Sequence, residues 1–207
     1  MNRIIKFFKN FRGFSTKVYW EARYARGKNS GSGSYGEMAN FKAYEINKLI
    51  KEHDLSTCIE FGCGDGNQLQ YFQVEDYLGL DVSKTAVNMC KKKYALDTSK
   101  KFKLVKEYSG EKAELVLSLE VLFHIVEHNL WEKYIFQLFD AATNFVVIFS
   151  ANIDSGDYAE HIKVRKFTDF INKNISDFTL YKKIESPLHL VKDSVKSDFY
   201  IYKHKDA

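Results

Sequence analysis

The chain has 207 residues, of which 45% are hydrophobic and 28% charged, a profile typical of one folded domain with a full core. Its formal net charge of +4 is too small to indicate nucleic-acid binding and is compatible with an anionic small substrate. No apolar run approaches the roughly 18 residues that a membrane span needs. The three cysteines, Cys58, Cys63 and Cys90, stand at no metal-ligand spacing and indicate free thiols in a reducing cytoplasm.

The first thirteen residues, MNRIIKFFKNFRG, interleave apolar side chains with arginine and lysine. The apolar stretches are too short and too interrupted by charge for a secretory signal. Two interpretations stay open: a basic amphipathic helix that lies weakly on an anionic membrane surface, or a terminal helix whose phenylalanines pack on the domain or on a second subunit. We therefore expect a cytoplasmic monomer or homodimer, either free or peripheral to the inner face of the membrane.

Residues 27–37, GKNSGSGSYGE, have the composition of a flexible linker. From about residue 50 onward, strand-like and helix-like segments alternate. Strands are predicted at residues 57–61, 76–81, 102–107, 113–119 and 144–150. Helices are predicted from the glycine-rich turn through Gln73, over 83–94 with Ser83 as N-cap, over 130–142 and over 165–174.

The last two predicted strands, 178–185 and 197–204, alternate at period two and follow each other without a clear helix, as expected of an antiparallel pair. Strands that alternate with helices indicate a parallel sheet covered on both faces. The predicted fold class is α/β: a doubly wound, seven-stranded, mostly parallel sheet with an antiparallel C-terminal hairpin and N-terminal helices.

The segment EFGCGDG, residues 60–66, contains the end of the first predicted strand and the glycine loop that follows it. A loop in this position is how a parallel sheet holds a nucleotide at its carboxyl edge. Its G-x-G-x-G spacing is neither the dinucleotide fingerprint nor a Walker loop. Glu60 and Asp65 would repel a pyrophosphate, whereas they suit the sulfonium and ammonium groups of S-adenosylmethionine (SAM). Asp81 ends the second strand about twenty residues further on, where an acidic residue can accept both ribose hydroxyls.

At these residues the chain resembles the class I, Rossmann-like SAM-dependent methyltransferases, from about residue 55 to the end. IEFGCGDG is similar to the first motif of that superfamily, LGLDVS to its ribose motif and AELVLSLEVLFHI to its fourth-strand motif. YWEARYARGKNSGSGSYGEMANFKAYEIN, SLEVLFHIVEH and HIKVRKFTDFI also resemble a subgroup of small methyltransferases found among capsule and lipopolysaccharide biosynthesis genes. The resemblance implies SAM as methyl donor and S-adenosylhomocysteine (SAH) as product.

The resemblance also implies a division into N-terminal helices with a glycine-rich lid over the site, residues 1–50, and a methyltransferase domain, residues 51–207. GKNSGSGSYGE is then the lid, and a mobile loop without contacts is the alternative. Glu107 and Tyr108 are expected to border the adenine, and Cys63 is expected to fill space beside the ligand. The residues expected to bind the cofactor are Tyr24, Glu60, Gly62, Gly64, Asp81, Val82, Glu107, Tyr108 and Ser118.

A basic rim is expected for an anionic acceptor such as a phosphate or uronate. It would be formed by Lys42, Lys163, Arg165 and Lys166, and a solvated surface is the alternative for each of them. The residues expected to bind the substrate are Tyr35, Lys42 and Arg165.

Methyl transfer from a sulfonium is an in-line displacement in which the protein positions the reactants, and an oxygen nucleophile usually also needs a general base. The catalytic candidates are His124, His161 and Glu120. We favour His124 as the base, because histidine titrates near the working pH, with His161 second. A structural role for His124 stays open, and Glu120 is expected to face the methionine end of the donor or a buried hydrogen-bond network.

No catalytic metal is expected. Some related O-methyltransferases carry an E-V-x-E-H ligand set after the fourth strand, but here the run is EVLFH, and Phe123 replaces the middle carboxylate. His124 and His128 stand four residues apart and lack a third ligand at a convincing spacing.

These features predict a SAM-dependent methyltransferase that acts on an oxygen of a small polar acceptor: a sugar, a sugar nucleotide or a phosphorylated or phosphoramidate intermediate of a surface polysaccharide. N-methylation of a small amine is the nearest alternative. The rivals from other classes are a non-catalytic SAM-binding subunit and an NAD-dependent oxidoreductase, of which the glycine spacing disfavours the second.

Overall fold

The computed structural model describes residues 14–154, 158–187 and 195–207, so both interpretations of residues 1–13 lie outside the described residues. The strands are β1 (Thr57–Phe61), β2 (Asp76–Asp81), β3 (Lys100–Leu104), β4 (Ala113–Leu119), β5 (Ala142–Ser150), β6 (Phe178–Ile184) and β7 (Asp198–His204). The α-helices are α1 (Thr16–Ala25), α2 (Gly36–His53), α3 (Lys84–Lys93), α4 (His128–Ala141) and α5 (Phe167–Asn174).

The strands form a single sheet in the order β3-β2-β1-β4-β5-β7-β6. Strands β1 to β5 pair in parallel, and β7 runs antiparallel to both β5 and β6. The predicted sheet of seven strands with an antiparallel C-terminal pair is confirmed. Because parallel strands end at the same edge of a sheet, the segments that follow β1, β2, β4 and β5 meet there.

Helices cover both faces of the sheet, and β5 shows why. Its alternate side chains point to opposite faces, so Phe145 and Phe149 pack with α2 and α3, whereas Val146 and Ile148 pack with α4 and α5. A strand buried on both faces is apolar at every position. The continuous run FVVIF within β5 therefore follows from its central place in the sheet.

The helix predicted between the glycine loop and Gln73 is wrong. The structure has only a 3₁₀ turn there, Gln68–Tyr71, because α2 occupies this face of the sheet. The segment is tied to α2, since Gln68 donates from its amide to the Ala39 carbonyl (2.8 Å) and Asn47 donates to the Tyr71 carbonyl (2.8 Å).

The third strand lies closer to the N-terminus than the predicted range of 102–107. It ends at Leu104, and a second 3₁₀ turn, Val105–Glu107, follows. The Glu107 carboxylate accepts the Leu104 amide N–H at 3.0 Å, which ends the ladder at that residue.

Candidate active site

A cavity of about 560 Å³ lies at the carboxyl edge of the sheet. Its lining includes nine of the residues that the sequence predicts for the site: Tyr24, Lys42, Glu60, Gly62, Gly64, Asp81, Val82, Glu120 and His124. The topology therefore brings the glycine loop, the end of β2 and the turn after β4 to one place.

Glycine is required in the loop after β1 for two reasons. Gly62 and Gly64 have φ angles of 88° and 57°, a left-handed conformation that other residues rarely adopt. A Cβ atom on Gly62 would also lie 2.4 Å from Val121 Cγ2, and one on Gly64 would lie 2.3 Å from Ser30 Oγ. A side chain at either glycine would therefore clash with the residues packed against this loop.

The Asp81 carboxylate is buried and held by backbone donors. Its Oδ2 accepts the Gly64 N–H at 3.0 Å, and its Oδ1 accepts the Ser83 N–H at 2.8 Å. Burial raises the pKa of Asp81 to about 6. The group is thus fixed at the end of β2, with further lone pairs for hydroxyl donors.

The Glu60 carboxylate lies deeper in the same wall. Tyr77 donates its hydroxyl to Glu60 Oε2 at 2.5 Å, and burial raises the pKa of Glu60 to about 7. A positive charge in the cavity would stabilise the ionised forms of both Glu60 and Asp81.

Residues 28–35 lie on the glycine loop. Asp65 Oδ2 accepts the Ser30 N–H at 2.8 Å and the Tyr35 hydroxyl at 2.9 Å, and Ser30 Oγ accepts the Asp65 N–H at 3.0 Å. Tyr24 shares a hydrogen bond with Ser30 (3.0 Å), and the Ser34 carbonyl accepts from Asn67 (2.8 Å). Although this stretch has the composition of a linker, it is held by hydrogen bonds to Asp65 and Asn67, which lie 30 to 35 positions away in the chain.

Lys42 is 1% exposed, so it does not belong to a surface rim. Its Nζ donates to Glu120 Oε2 at 3.0 Å and lies 5.5 Å from the centre of the Phe149 ring. Glu120 itself has a φ of 60°, and such strain in a residue without glycine's freedom often marks a functional position. A Cβ on Gly33 would lie 1.8 Å from Glu120 Oε2, so a larger residue there would have to move this carboxylate away from Lys42 or move the backbone of the segment.

His124 lines the cavity from the 3₁₀ turn Leu122–His124. Its Nδ1 is 3.1 Å from the His161 carbonyl, and because a carbonyl only accepts, the neutral ring carries its proton on Nδ1. Burial lowers the pKa of His124 to about 4. The imidazole is therefore neutral at ordinary pH, with its lone pair on Nε2.

Aromatic rings surround His124. The Trp20 ring meets it edge-on at 4.9 Å, and the His161 ring stacks on it at 5.4 Å. Tyr19 stacks on His161 at 4.6 Å. Burial lowers the pKa of His161 as well, but its side chain lies between two rings and does not line the cavity.

Five other predicted site residues lie outside the cavity lining: Tyr35, Glu107, Tyr108, Ser118 and Arg165. Tyr108 donates to the Glu111 carbonyl (2.8 Å), and Ser118 shares a hydrogen bond with Tyr134 (2.8 Å). Arg165 donates to the carbonyls of Ile125 and Val126 at 2.9 and 2.8 Å, which fastens the segment after His124. Tyr35 and Glu107 make the contacts given above.

Helix α1 contributes site residues that sequence reasoning missed. Thr16 donates its backbone N–H to Glu127 Oε1 (3.0 Å), and its hydroxyl lies 3.0 Å from the His124 carbonyl. Glu21 accepts the Ser83 hydroxyl at 2.7 Å, at the start of α3. Trp20, between them, lines the cavity. Nothing in the local sequence of α1 indicates these contacts, because their partners are 62 to 111 residues away.

The described part of the chain holds no group of three or more His, Cys, Asp or Glu side chains that could hold a metal. His128 instead forms a surface contact with Glu132 at 3.4 Å. Within the same ranges, no helix has the length and apolarity that a membrane crossing needs. The three cysteines are free and buried.

Residues 59–138 match the family model described as "Methyltransferase domain". The fold is similar to N-methyltransferase NodS from Bradyrhizobium japonicum WM9 in complex with SAH (TM-score 0.73, 13% identity, 93% of this chain and 100% of that one). It is also similar to magnesium protoporphyrin IX methyltransferase (ChlM) from Synechocystis PCC 6803 with bound SAH (TM-score 0.66, 14% identity, 91% and 98%). No curated protein sequence shows significant similarity to the chain.

At sequence identities of 13% and 14%, these similarities show that the fold is shared and nothing more. The matched domain covers the glycine loop, β2 and the turn that carries His124. Together with the strand order and the carboxylate-lined cavity, it indicates a SAM-dependent methyltransferase.

Proposed function

We propose that the protein transfers a methyl group from SAM to an oxygen of a small polar acceptor in the cytoplasm. The acceptor class we propose is a sugar, a sugar nucleotide or a phosphorylated or phosphoramidate intermediate of a surface polysaccharide. The donor part of the proposal depends on one observation. Among the described residues that line the cavity, four carry carboxylates and two carry ammonium groups: Glu60, Asp65, Asp81 and Glu120, against Lys42 and Lys196.

The residues present fit SAM better than a dinucleotide. When bound, SAM supplies an electrophilic methyl group on a sulfonium. Asp81 has lone pairs free for ribose hydroxyls, and Gly62 and Gly64 allow the left-handed turn of the loop that lines the cavity. A pyrophosphate would add negative charge beside Glu60 and Asp65, which costs free energy at short range.

His124 is the residue we propose as general base. Its Nε2 carries the lone pair and is unprotonated at ordinary pH. The lowered pKa also makes it a weaker base than a histidine that titrates near the working pH, which is the property for which the sequence favours it. A base of this kind removes the proton from an acceptor hydroxyl as the oxygen attacks. His161 positions the His124 ring through its carbonyl and its stacked ring, whereas Glu120 is paired with Lys42.

Residues 28–35 form a lid in this proposal, above the methyltransferase domain of residues 51–207. The hydrogen bonds from Ser30 and Tyr35 to Asp65 support a lid, because they hold the segment against the glycine loop that we propose to bind the donor. Gly33 covers Glu120 from the same segment.

A second candidate is N-methylation of a small amine. The similarity to NodS, which is an N-methyltransferase, supports it. The neutral His124 fits this reaction too, because an ammonium acceptor must lose a proton before its nitrogen can attack. A non-catalytic SAM-binding subunit would leave His124 with only its structural contacts to Trp20 and His161.

Titration calorimetry of the purified protein with SAM, SAH and NAD tests the donor. We expect binding of SAM and SAH and none of NAD, and the reverse result would contradict the proposal. Incubation with methyl-labelled SAM and candidate sugars, sugar phosphates and amines, followed by mass spectrometry, tests the acceptor. Label on an amine nitrogen alone would favour the second candidate.

A further inference from the structure

One end of the cavity carries three polar side chains that the mechanism above leaves partly unused: Lys42, Gln68 and Glu120. We call this group the amino-acid end of the cavity. Lys42 and Gln68 are linked through α2, since Gln68 donates to the Ala39 carbonyl (2.8 Å) and Ala39 lies one helical turn before Lys42. All three line the cavity.

Gln68 has a buried acceptor without a partner. The side chain is 4% exposed, and because the Ala39 carbonyl only accepts, the amide nitrogen faces Ala39. Within the described ranges, Oε1 then has no hydrogen-bond partner. A buried carbonyl oxygen without a donor costs free energy, so a ligand that donates here gains more than it would at an exposed group.

Lys42 has the complementary deficit. An ammonium group has three N–H donors, and among the described residues Glu120 Oε2 is its one hydrogen-bond acceptor. The face of the Phe149 ring takes a further side of the cation. A lysine that is 1% exposed needs more acceptors than this to offset the loss of water.

We propose that Lys42 and Gln68 recognise the zwitterionic amino-acid end of SAM and thereby select the intact donor. Lys42 donates to the α-carboxylate, and Gln68 Oε1 accepts from the α-ammonium, with the Glu120 carboxylate beside both charges. One ligand group that is both anion and cation satisfies the two deficits at once. The inference rests on the proposed function, because it assigns these residues to the donor of that same reaction.

The proposal differs from the expectation that Lys42 binds an anionic acceptor. The anionic group of an acceptor at Lys42 would offer no donor to Gln68 Oε1 and would meet the Glu120 carboxylate, which is 3.0 Å from Lys42 Nζ. A zwitterion brings an ammonium to the same place as its carboxylate, and so it balances Glu120 as well.

The experiment compares SAH with two analogues by titration calorimetry: 5′-methylthioadenosine, which lacks the whole amino-acid end, and decarboxylated SAH, which lacks only the carboxylate. With the wild-type protein, we expect each analogue to bind at least about tenfold more weakly than SAH. Equal affinity for SAH and 5′-methylthioadenosine would overturn the proposal without any variant. Failure to bind all three nucleosides would instead contradict the proposed function.

Variants then assign the residues. In Lys42→Met and in Gln68→Met, the ratio of SAH affinity to 5′-methylthioadenosine affinity should fall at least about fivefold, while 5′-methylthioadenosine binds as before. Lys48→Met on the exposed side of α2 and Gln70→Met in the same 3₁₀ turn as Gln68 are matched controls and should keep the wild-type ratio. A partial loss of fold would lower both affinities together. An unchanged ratio in both variants would therefore overturn the proposal and leave Lys42 to the acceptor.

Discussion

The glycine-loop side of the cavity, formed by Glu60, Gly64, Asp65 and Asp81, buries three carboxylates that neutral donors hold in place. The β4-turn side, formed by Glu120 and His124, pairs its carboxylate with Lys42 and keeps its imidazole uncharged. The first side therefore has negative charge to offer a cation, whereas the second offers a lone pair. We infer that the donor binds along the glycine-loop side, with its amino-acid end reaching Lys42 and Glu120, and that the acceptor is activated at His124.

Asp81→Asn should have the largest effect. The substitution keeps the shape but removes the charge and turns one acceptor oxygen into a donor that faces a backbone N–H. We expect SAH to bind about 100-fold more weakly, as for the loss of charge-assisted hydrogen bonds. Calorimetry checks this, and Asp76→Asn at the exposed start of β2 is the control. Similar affinities for the wild type and Asp81→Asn would remove the basis for the anionic side.

His124→Ala should distinguish most directly between acceptor activation and donor binding. We expect turnover to fall at least about tenfold while SAH affinity stays close to that of the wild type. His128→Ala, at a histidine that is 62% exposed, is the matched control for both measurements. Equal losses of turnover and of affinity would make His124 a structural residue.

The pH profile of the wild type gives a third test. A base acts when unprotonated, and the pKa of His124 is lowered to about 4, so turnover should stay level from about pH 8 down to about pH 5 and fall below that. Initial rates at saturating SAM provide the measurement. A fall centred near pH 6.5 would point to an exposed histidine as the base.

Gly33→Ala should have a smaller effect, because it acts through the lid. A methyl group here would overlap Glu120 Oε2, so residues 28–35 must move off the glycine loop or Lys42 must lose its partner. We expect about fivefold weaker SAM binding and faster proteolysis near Ser32 in the presence of SAM. The control is Gly27→Asn, at a left-handed position with open space around it. An unchanged cleavage rate with and without SAM in the wild type would count against the lid.

The smallest effect should be a dependence of SAM affinity on pH. In the free protein, the pKa of Glu60 is raised to about 7 and that of Asp81 to about 6, so both carboxyls are partly protonated at pH 6. A cationic ligand binds the ionised forms more tightly than the protonated ones, so its affinity should rise by about threefold between about pH 6 and pH 8. This is well below the roughly twentyfold limit that these pKa values would set if the protonated forms did not bind at all. Uncharged at sulfur, SAH is the matched control and should show a weaker rise. Parallel curves for SAM and SAH would show that these carboxyls do not respond to the sulfonium.

The glycine-loop side could be predicted well from the sequence, because its parts are local. Gly64 and Asp81 are 17 residues apart and lie at the ends of two adjacent strands whose periodicity is clear. Glycine spacing and the position of an acidic residue after the next strand are enough to place them at one edge of the sheet.

The β4-turn side could not be predicted to the same extent, because distant segments assemble it. Lys42 and Glu120 are 78 residues apart, and Thr16 and His124 are 108 apart. A lysine on an amphipathic helix is expected to be exposed to solvent. Only the tertiary contact with Glu120 shows that Lys42 is buried. The contacts of Ser30 and Gln68 were missed for the same reason.

The 3₁₀ turn of four residues after the glycine loop, Gln68–Tyr71, has an electrostatic consequence of its own. Nucleotide-binding loops that hold phosphates commonly open into a long α-helix, whose aligned peptide dipoles place about half a positive charge at its first turn. A single 3₁₀ turn sums too few dipoles to offer that field. The loop therefore lacks the attraction that would draw a phosphate to it, quite apart from the acids in its walls.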